Sequence, residues 1–239
     1  RRARAGDRVV SAAHRLVGAA LAVALALAAP VAVRAELPTP WAAVGRVDVE
    51  GGRFCSGTVI APRRVLTAAH CLFEPRTGRL AAPDGIVFRP GLYRGRALER
   101  RRPALVRLVD GYAWAAREQL TALERDVAVL EFAEPLSVPP LAIRADAGGL
   151  PPRLVMARYG RSRPSRTAVD YGCVRTGRIG ALWRVSCPGE PGNSGAPLLA
   201  PGPDGPELVA VVVAMDARDG ARSIVAVPLV GERSSPPPR

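Results

Sequence analysis

The chain has 239 residues, of which 48% are hydrophobic, 23% are charged and only 5% are aromatic. This composition is typical of a globular protein of one or two lobes and excludes a disordered chain. The formal net charge of +13 is carried by arginine alone, and a charge of that size occurs in nucleic-acid binders. Here, however, Lys is absent while Ala and Pro are abundant, as a GC-rich coding bias produces. Because no helix interleaves arginines with aromatic residues, we expect no nucleic-acid partner.

The first 35 residues match the pattern of a secretory signal peptide. Five arginines within residues 1–15 precede an uncharged apolar run, residues 16–29, and Val33-Arg34-Ala35 offers a small-x-small cleavage site. The run is shorter than the ~20 apolar residues that span a bilayer. We therefore expect cleavage after Ala35, a secreted or periplasmic protein, and no membrane contact in the mature chain, whose net charge would be +8. The alternative is an uncleaved segment that tethers the protein to a membrane.

The rest of the chain predicts an all-β protein with two lobes. Nine short segments rich in Val, Leu and Ile alternate with Gly and Pro turns, as in a sandwich or barrel; they are residues 43–49, 57–60, 65–68, 104–109, 127–132, 154–159, 179–185, 208–214 and 223–228. Only residues 114–124 show a helical pattern. The Pro- and Gly-rich residues 134–152, which include Gly148 and Gly149, predict the connection between the lobes. We expect an N-terminal lobe over residues 36–140, a C-terminal lobe over residues 141–232 and a disordered tail over residues 233–239.

Four cysteines, Cys55, Cys71, Cys173 and Cys187, remain after removal of the signal segment. An even number in an exported chain favours disulfides, and four cysteines allow three pairings. A zinc site is the alternative. Because the chain has no C-x-x-C pair and keeps only one histidine, we expect no metal.

Three separated segments carry residues suited to hydrolysis. His70, the histidine that remains, ends a strand-like run in residues 66–71 (LTAAHC), and an imidazole titrates near the pH at which a general base works. Ser194 lies between two glycines in residues 191–197 (PGNSGAP), a turn that can place backbone N–H groups beside the hydroxyl. Asp126 opens an apolar strand in residues 126–130 (DVAVL). Taken singly, these would be a structural histidine, a surface turn and a strand-start aspartate.

In the order His, Asp, Ser, these segments together with residues 55–60 (CSGTVI) resemble the trypsin-like (chymotrypsin) superfamily of serine proteases, closest to its secreted bacterial and glutamyl-endopeptidase-like members. The resemblance extends over about residues 41–228. It implies two six-stranded antiparallel β-barrels with the active site in the cleft between them. His70 and Asp126 would come from the first barrel and Ser194 from the second.

The resemblance also implies a role for each residue. Ser194 would be the nucleophile, His70 the general base and Asp126 the group that orients the imidazole, while the N–H groups of Gly192 and Ser194 would form the oxyanion hole. Cys55–Cys71 matches the family disulfide that braces the histidine loop, which leaves Cys173 and Cys187 to pair across a hairpin. The resemblance further implies that the substrates are proteins or peptides, that the protein is a monomer and that it needs no cofactor. The alternative is a non-catalytic binding protein on the same fold.

Two departures from the trypsin pattern concern activation and specificity. The residue before the nucleophile, an aspartate in trypsin, is the uncharged Asn193, so we expect the oxyanion loop to form without insertion of a new N-terminus. The residues expected to line the substrate pocket are Pro188, Gly189, Glu190, Val213, Ala214 and Met215. Proline stands where trypsin keeps its pocket aspartate, although Glu190, Asp216, Arg218 or Arg222 could add a charge. An apolar or small residue before the scissile bond is the default expectation.

Overall fold

The computed structural model describes residues 41–146, 150–216 and 223–229. The chain divides after Glu36, and every described residue belongs to the second unit, Leu37–Arg239. The predicted signal segment, the C-terminal tail, Gly148, Gly149, Arg218 and Arg222 lie outside the described residues. Within the described part, no helix is long and apolar enough to cross a membrane.

Six strands form the first antiparallel sheet: β1 (Val44–Val49), β2 (Arg53–Ala61), β3 (Arg64–Thr67), β4 (Ile86–Pro90), β5 (Leu105–Leu108) and β6 (Ala128–Glu131). Their order is β4-β1-β2-β3-β6-β5. The chain just before β5 returns to the other edge of the sheet, where Phe88 and Arg101 exchange two backbone hydrogen bonds of 2.8 and 3.1 Å. This bridge ties the segment that leads into β5, at one edge of the sheet, to β4 at the other edge.

Six further strands form the second sheet: β7 (Arg153–Gly160), β8 (Arg163–Ile179), β9 (Leu182–Val185), β10 (Pro197–Gly202), β11 (Gly205–Asp216) and β12 (Ser223–Pro228). All pairings are antiparallel, and the order β10-β11-β12-β9-β8-β7 closes into a barrel. The predicted all-β fold with two six-stranded sheets is therefore confirmed.

A shared apolar cluster joins the two sheets. It contains side chains from the first sheet, such as Val47 and Phe88, and from the second, such as Tyr159 and Val213. Strand β7 lies against β1 and β2, and the fully buried Tyr159 hydroxyl donates to the Leu92 carbonyl at 3.1 Å. Burial raises the pKa of Tyr159 to about 12, so this phenol remains a hydrogen-bond donor at physiological pH. The two sheets are thus packed against each other through a shared apolar core.

Two local predictions were wrong. Residues 114–124 form only a 3₁₀ turn (Trp114–Ala116) and the single-turn helix α1 (Leu120–Leu123), because Gln119 is extended and interrupts the helical pattern. The predicted strand at 179–185 is divided by a turn at Gly180, whose φ of 58° favours glycine. Strands β4, β8 and β10 were missed, and β8 has a mixed polar pattern because most of its side chains are exposed or half-buried.

Candidate active site

His70 lies directly after the end of β3, in a 3₁₀ turn at Ala69–Leu72. Its side chain is 29% exposed, whereas the Asp126 side chain, just before β6, is only 2% exposed. The two Asp126 oxygens accept two hydrogen bonds from the same residue: Oδ1 from the His70 backbone N–H at 2.7 Å and Oδ2 from Nδ1 at 2.6 Å. A bond from the ring to Oδ2 means that Nδ1 carries the proton, which leaves Nε2 free to accept one.

The nucleophile candidate lies on the other side of the imidazole. Ser194 Oγ is 3.0 Å from His70 Nε2, so hydrogen bonds run without a break from Asp126 through His70 to Ser194. Ser194 itself is fixed by its backbone, since its carbonyl accepts from the Ser56 N–H at 2.8 Å. The structure therefore brings together the three residues that the sequence singled out from positions far apart in the chain.

Two glycines shape the turn around Ser194. Gly192 and Gly195 have φ angles of 100° and 80°, which L side chains rarely adopt. A Cβ at Gly195 would overlap the Ser56 carbonyl oxygen and the Thr67 hydroxyl, and one at Gly192 would lie 2.6 Å from the Phe54 ring. Close backbone approach thus explains why the serine is flanked by glycines.

A buried amide holds the nucleophile loop together. Asn193 is 1% exposed. Its Nδ2 donates to the Tyr159 carbonyl at 3.0 Å, and its Oδ1 accepts from the Glu190 N–H at 2.8 Å. Ser56 adds a second clamp, because its hydroxyl donates to the Gly192 carbonyl and accepts from the Tyr159 N–H, both at 2.9 Å. No charged group takes part in either clamp.

Two backbone N–H groups beside the hydroxyl are left without acceptors. Within the described part of the chain, neither the Gly192 N–H nor the Ser194 N–H donates a hydrogen bond, whereas the Gly195 N–H donates to Val212 O at 2.7 Å. Free N–H groups on both sides of Asn193 are the donors that an oxyanion hole requires.

The pocket residues are brought together in part. Gly189 lies against β11 and β12, since a Cβ there would be 3.0 Å from Met215 Cγ and 3.2 Å from the Ser223 carbonyl. Met215 is 52% exposed and Pro188 is also exposed, while Ala214 is half-buried. Val213 is buried in the cluster shared by the two sheets. Apolar groups therefore form most of this wall.

Both acidic pocket candidates are engaged elsewhere. The Glu190 carboxylate accepts from Arg158, from the Ser162 N–H at 2.7 Å and from the Ser162 hydroxyl at 2.7 Å. Burial opposes ionisation, but the bonds from Ser162 and Arg158 outweigh it and lower the pKa of Glu190. Asp216 Oδ2 pairs with Arg184 Nε at 2.8 Å. Neither carboxylate is left to bind a basic substrate side chain.

The four cysteines pair as Cys55–Cys71 and Cys173–Cys187, with Cα–Cα distances of 6.2 and 5.0 Å. The first disulfide joins β2 to the histidine turn, and the second joins β8 to the segment that leads into the nucleophile loop. His70 and the sulfurs of Cys55 and Cys71 lie close enough together to resemble metal ligands. The sulfurs are bonded to each other, however, so they are not the thiolates that bind zinc.

Sequence reasoning missed the groups that hold the site: Ser56, Tyr159 and the Arg158 side chain. Ser56 lies in the segment that supported the family resemblance, yet its bond to Tyr159 spans 103 residues. Arg158 is 8% exposed and pairs with Asp170 and Glu190. A buried arginine within an apolar strand has no local signal, because its partners become adjacent only in the folded protein.

Comparison with known proteins identifies the family of the chain. A family model for the trypsin-like peptidase domain matches residues 55–211, more than half of the chain. A solved structure described as "Structure of Glu endopeptidase in complex with MPD" matches with a TM-score of 0.64 and 19% sequence identity, over 80% of this chain and 86% of that chain. The resemblance inferred from the sequence is confirmed: the chain belongs to the trypsin-like peptidase family, whose substrates are proteins or peptides.

Proposed function

We propose that the protein is a serine endopeptidase that hydrolyses peptide bonds through Ser194, His70 and Asp126 with an acyl-enzyme intermediate. One observation carries the proposal: hydrogen bonds connect a buried carboxylate, an imidazole and a serine hydroxyl at 2.6 and 3.0 Å. This is the geometry by which a base activates a weak nucleophile.

The first half of the reaction follows from the proton positions. His70 Nε2 takes the Ser194 proton as Oγ attacks the carbonyl carbon of the scissile bond. The resulting imidazolium is stabilised by Asp126, whose low exposure strengthens the attraction between the two charges. The imidazolium then gives its proton to the departing amine nitrogen, which leaves an ester between the acyl group and Ser194. Water repeats the sequence and releases the acid.

The N–H groups of Gly192 and Ser194 are the proposed oxyanion donors. Because neither N–H group has an acceptor within the described residues, binding an oxyanion would break no existing hydrogen bond of theirs. Removing one donor of this kind raises the barrier by about 2.7–4 kcal/mol in related chemistry.

We propose that this loop is active without insertion of a new N-terminus. In trypsin a charged aspartate before the nucleophile needs an ammonium partner. Asn193 is neutral, and both ends of its amide are satisfied by the backbone of Tyr159 and Glu190. Position 193 therefore carries no buried charge that would require such a partner.

We propose cleavage after apolar or small residues. Among the described pocket residues, Gly189 and Met215 offer apolar surface, whereas Glu190 and Asp216 are paired with Arg158 and Arg184. We further propose that the protein acts outside the cytoplasm, because two disulfides form and persist in oxidising compartments.

The test is turnover by the purified full-length chain and by its Ser194→Ala variant on an internally quenched peptide library. We expect the wild type to cleave a subset of peptides and the variant to lose about 10⁶-fold in kcat. Ser186→Ala, at an exposed serine directly after β9, is the matched control and should cleave normally. Cleavage by the Ser194→Ala variant at the wild-type rate would overturn the proposal.

A further inference from the structure

Five exposed arginines form a surface at one end of the β7–β8 hairpin. The arginine surface consists of Arg94, Arg96, Arg161, Arg163 and Arg166. Arg94 and Arg96 lie in the turn Tyr93–Arg96, Arg161 lies in the turn between β7 and β8, and Arg163 and Arg166 lie at the start of β8. An isolated antiparallel bridge between Tyr93 and Arg166 places the first turn beside the start of β8.

The first turn holds an arginine in a strained conformation. Tyr93 and Arg96 exchange backbone hydrogen bonds of 2.8 and 3.0 Å. Between them, Arg94 and Gly95 have φ angles of 48° and 81°. Glycine, asparagine or aspartate is preferred at both central positions of such a turn. A long charged side chain at position 94 is therefore not explained by the turn itself, and strain of this kind points to a function.

The five arginines have no acidic partner within the described part of the chain, where none of them forms an ion pair. The neighbouring charges balance one another. Arg46 and Arg89 both pair with Asp48, at 2.7 and 2.5 Å, whereas Arg158 alone is shared by two carboxylates, Asp170 and Glu190. The first group has one arginine more than it has carboxylates, and the second has one carboxylate more than it has arginines, so their net charges cancel. The positive charge of the arginine surface is therefore not compensated by these neighbours.

The surface is attached directly to the nucleophile loop. The Arg161 N–H donates to the Pro191 carbonyl at 2.9 Å. The carboxylate of Glu190 accepts from both the backbone and the hydroxyl of Ser162. Glu190, which the sequence suggested as a pocket residue, therefore fixes the tip of the arginine hairpin to the loop that carries Ser194.

The position of the surface indicates which part of a substrate it faces. The loop from 188 to 194 has two flanks: Gly189 contacts Met215 and Ser223, while the Gly192 end approaches Phe54 and Gly160. The expected pocket for the acyl half of the substrate is on the first flank. The departing half must then leave over the second flank, toward Arg161.

We propose that the arginine surface binds an acidic segment of the polypeptide substrate on the C-terminal side of the scissile bond. This inference rests on the proposed peptidase function. Several uncompensated guanidinium groups attract carboxylates and increase the rate of encounter. A nucleic acid is disfavoured because binding of single strands relies on aromatic platforms. The aromatic ring that lies among these arginines, Tyr93, is covered by the Arg94 guanidinium at 5.3 Å.

Binding is tested first without turnover, in a Ser194→Ala background. A fluorescein-labelled peptide with four Asp or Glu residues is titrated and its anisotropy measured, beside an Asn/Gln isostere. At about 0.05 M salt we expect Arg94→Gln/Arg163→Gln/Arg166→Gln to weaken binding of the acidic peptide about tenfold, with the effect largely screened at about 0.5 M. The matched control is Arg63→Gln/Arg100→Gln/Arg153→Gln, three exposed arginines elsewhere, and should bind as the parent does.

Turnover by the active protein then tests on which side of the scissile bond the acidic segment binds. A cleaved peptide is extended with the acidic or the isosteric segment, either before or after the scissile bond. We expect the acidic segment to raise kcat/KM only after the bond, and the triple variant to bring the acidic-to-isosteric ratio close to one.

The outcomes separate the two proposals. Binding of the acidic peptide without any cleavage would overturn the peptidase function but support the surface. Cleavage with equal acidic-to-isosteric ratios, or equal loss in the control triple variant, would overturn the surface alone. Tighter binding of a single-stranded DNA oligonucleotide than of the acidic peptide would assign the surface to nucleic acid and overturn it as well.

Discussion

The two halves of the candidate site are held by different kinds of interaction. On the first sheet, His70 is held by a charged group, because both oxygens of the buried Asp126 accept bonds from its backbone and ring. Ser194, in the loop before β10 of the second sheet, is held by neutral groups: the amide of Asn193 and the hydroxyl of Ser56, which reaches across from β2 of the first sheet. The disulfide at Cys71 adds a covalent brace to the first half.

The difference reflects what each half must do. In the proposed mechanism the charge of Asp126 becomes more useful as the reaction proceeds, since it faces an imidazole that gains a proton. The proposed oxyanion loop instead would present N–H groups to a developing oxyanion, and a fixed negative charge beside it would oppose that. The comparison predicts that charge matters in the first half, whereas backbone shape and neutral hydrogen bonds matter in the second. Four substitutions test it, in order of decreasing effect.

Removing the charge of Asp126 should have the largest effect. Asp126→Asn keeps the shape but offers an N–H to the imidazole, which favours the wrong tautomer, and we expect kcat to fall about 10⁴-fold. Steady-state kinetics on a cleaved peptide measure the change. Asp110→Asn, at an exposed aspartate, is the control. Equal activity of the two variants would show that the charge of Asp126 does not matter for the first half of the site.

Adding one methyl group at Gly195 should disrupt the second half. The new Cβ would overlap the Ser56 carbonyl and the Thr67 hydroxyl at a φ of 80°. Overpacking and backbone strain together should lower the free energy of unfolding by about 3 kcal/mol or more. Gly177→Ala, where a Cβ would meet nothing within 4 Å, should change stability by less than about 0.5 kcal/mol. Urea unfolding compares the two variants, and similar midpoints would contradict the role of backbone shape.

Introducing a charge at Asn193 tests the neutral clamp. In Asn193→Asp a carboxylate would face the Tyr159 carbonyl, which now accepts from Nδ2 at 3.0 Å. We expect a loss of about 2–3 kcal/mol in the free energy of unfolding at neutral pH. Because burial raises the pKa of the new carboxyl, its protonated form can donate to that carbonyl, and stability relative to wild type should recover as pH falls. Unchanged stability at neutral pH would show that the clamp tolerates charge.

The smallest effect concerns Glu190, an acid of the nucleophile loop whose carboxylate pairs with Arg158. Hydrogen bonds from Ser162 and Arg158 lower its pKa in the folded protein. Its stabilisation is therefore fully present above the unfolded value, about 4.3, and is lost as pH falls through the lower folded value.

We expect Glu190→Gln to cost about 1 kcal/mol or less at neutral pH, a difference from wild type that vanishes in acid. Denaturant unfolding at several pH values measures it. Glu134→Gln, at an exposed glutamate, should show no such trend. If the loss in free energy of unfolding caused by Glu190→Gln does not change with pH, the Glu190 carboxylate does not stabilise the fold through its charge.

The sequence pointed to the candidate triad but not to the groups that hold it in place. His70 and Ser194 lie in local segments whose spacing is distinctive, so their pairing could be predicted before the fold was known. Ser56 and Tyr159 meet across 103 residues, and neither carries a local mark of that contact. Glu190 was expected to line the pocket and to be able to add a charge there, whereas the fold turns its carboxylate toward Ser162 and Arg158.

The fold shows the same division. Strands with continuous apolar runs, such as β6 and β11, were predicted because burial on both sides leaves a pattern in the chain. Strand β8 was not, because its exposed polar residues are held in the barrel by pairing with β7 and β9 rather than by their own hydrophobicity. Tertiary pairing overrides local propensity at such positions.

The central claim is that His70 makes the Ser194 hydroxyl a nucleophile, and covalent labelling by a fluorophosphonate probe tests it most directly. Intact mass and peptide mapping should place one adduct per chain on Ser194. Labelling should be absent in Ser194→Ala and greatly slowed in His70→Ala. An adduct on another residue, or labelling of the His70→Ala variant at the wild-type rate, would contradict the account.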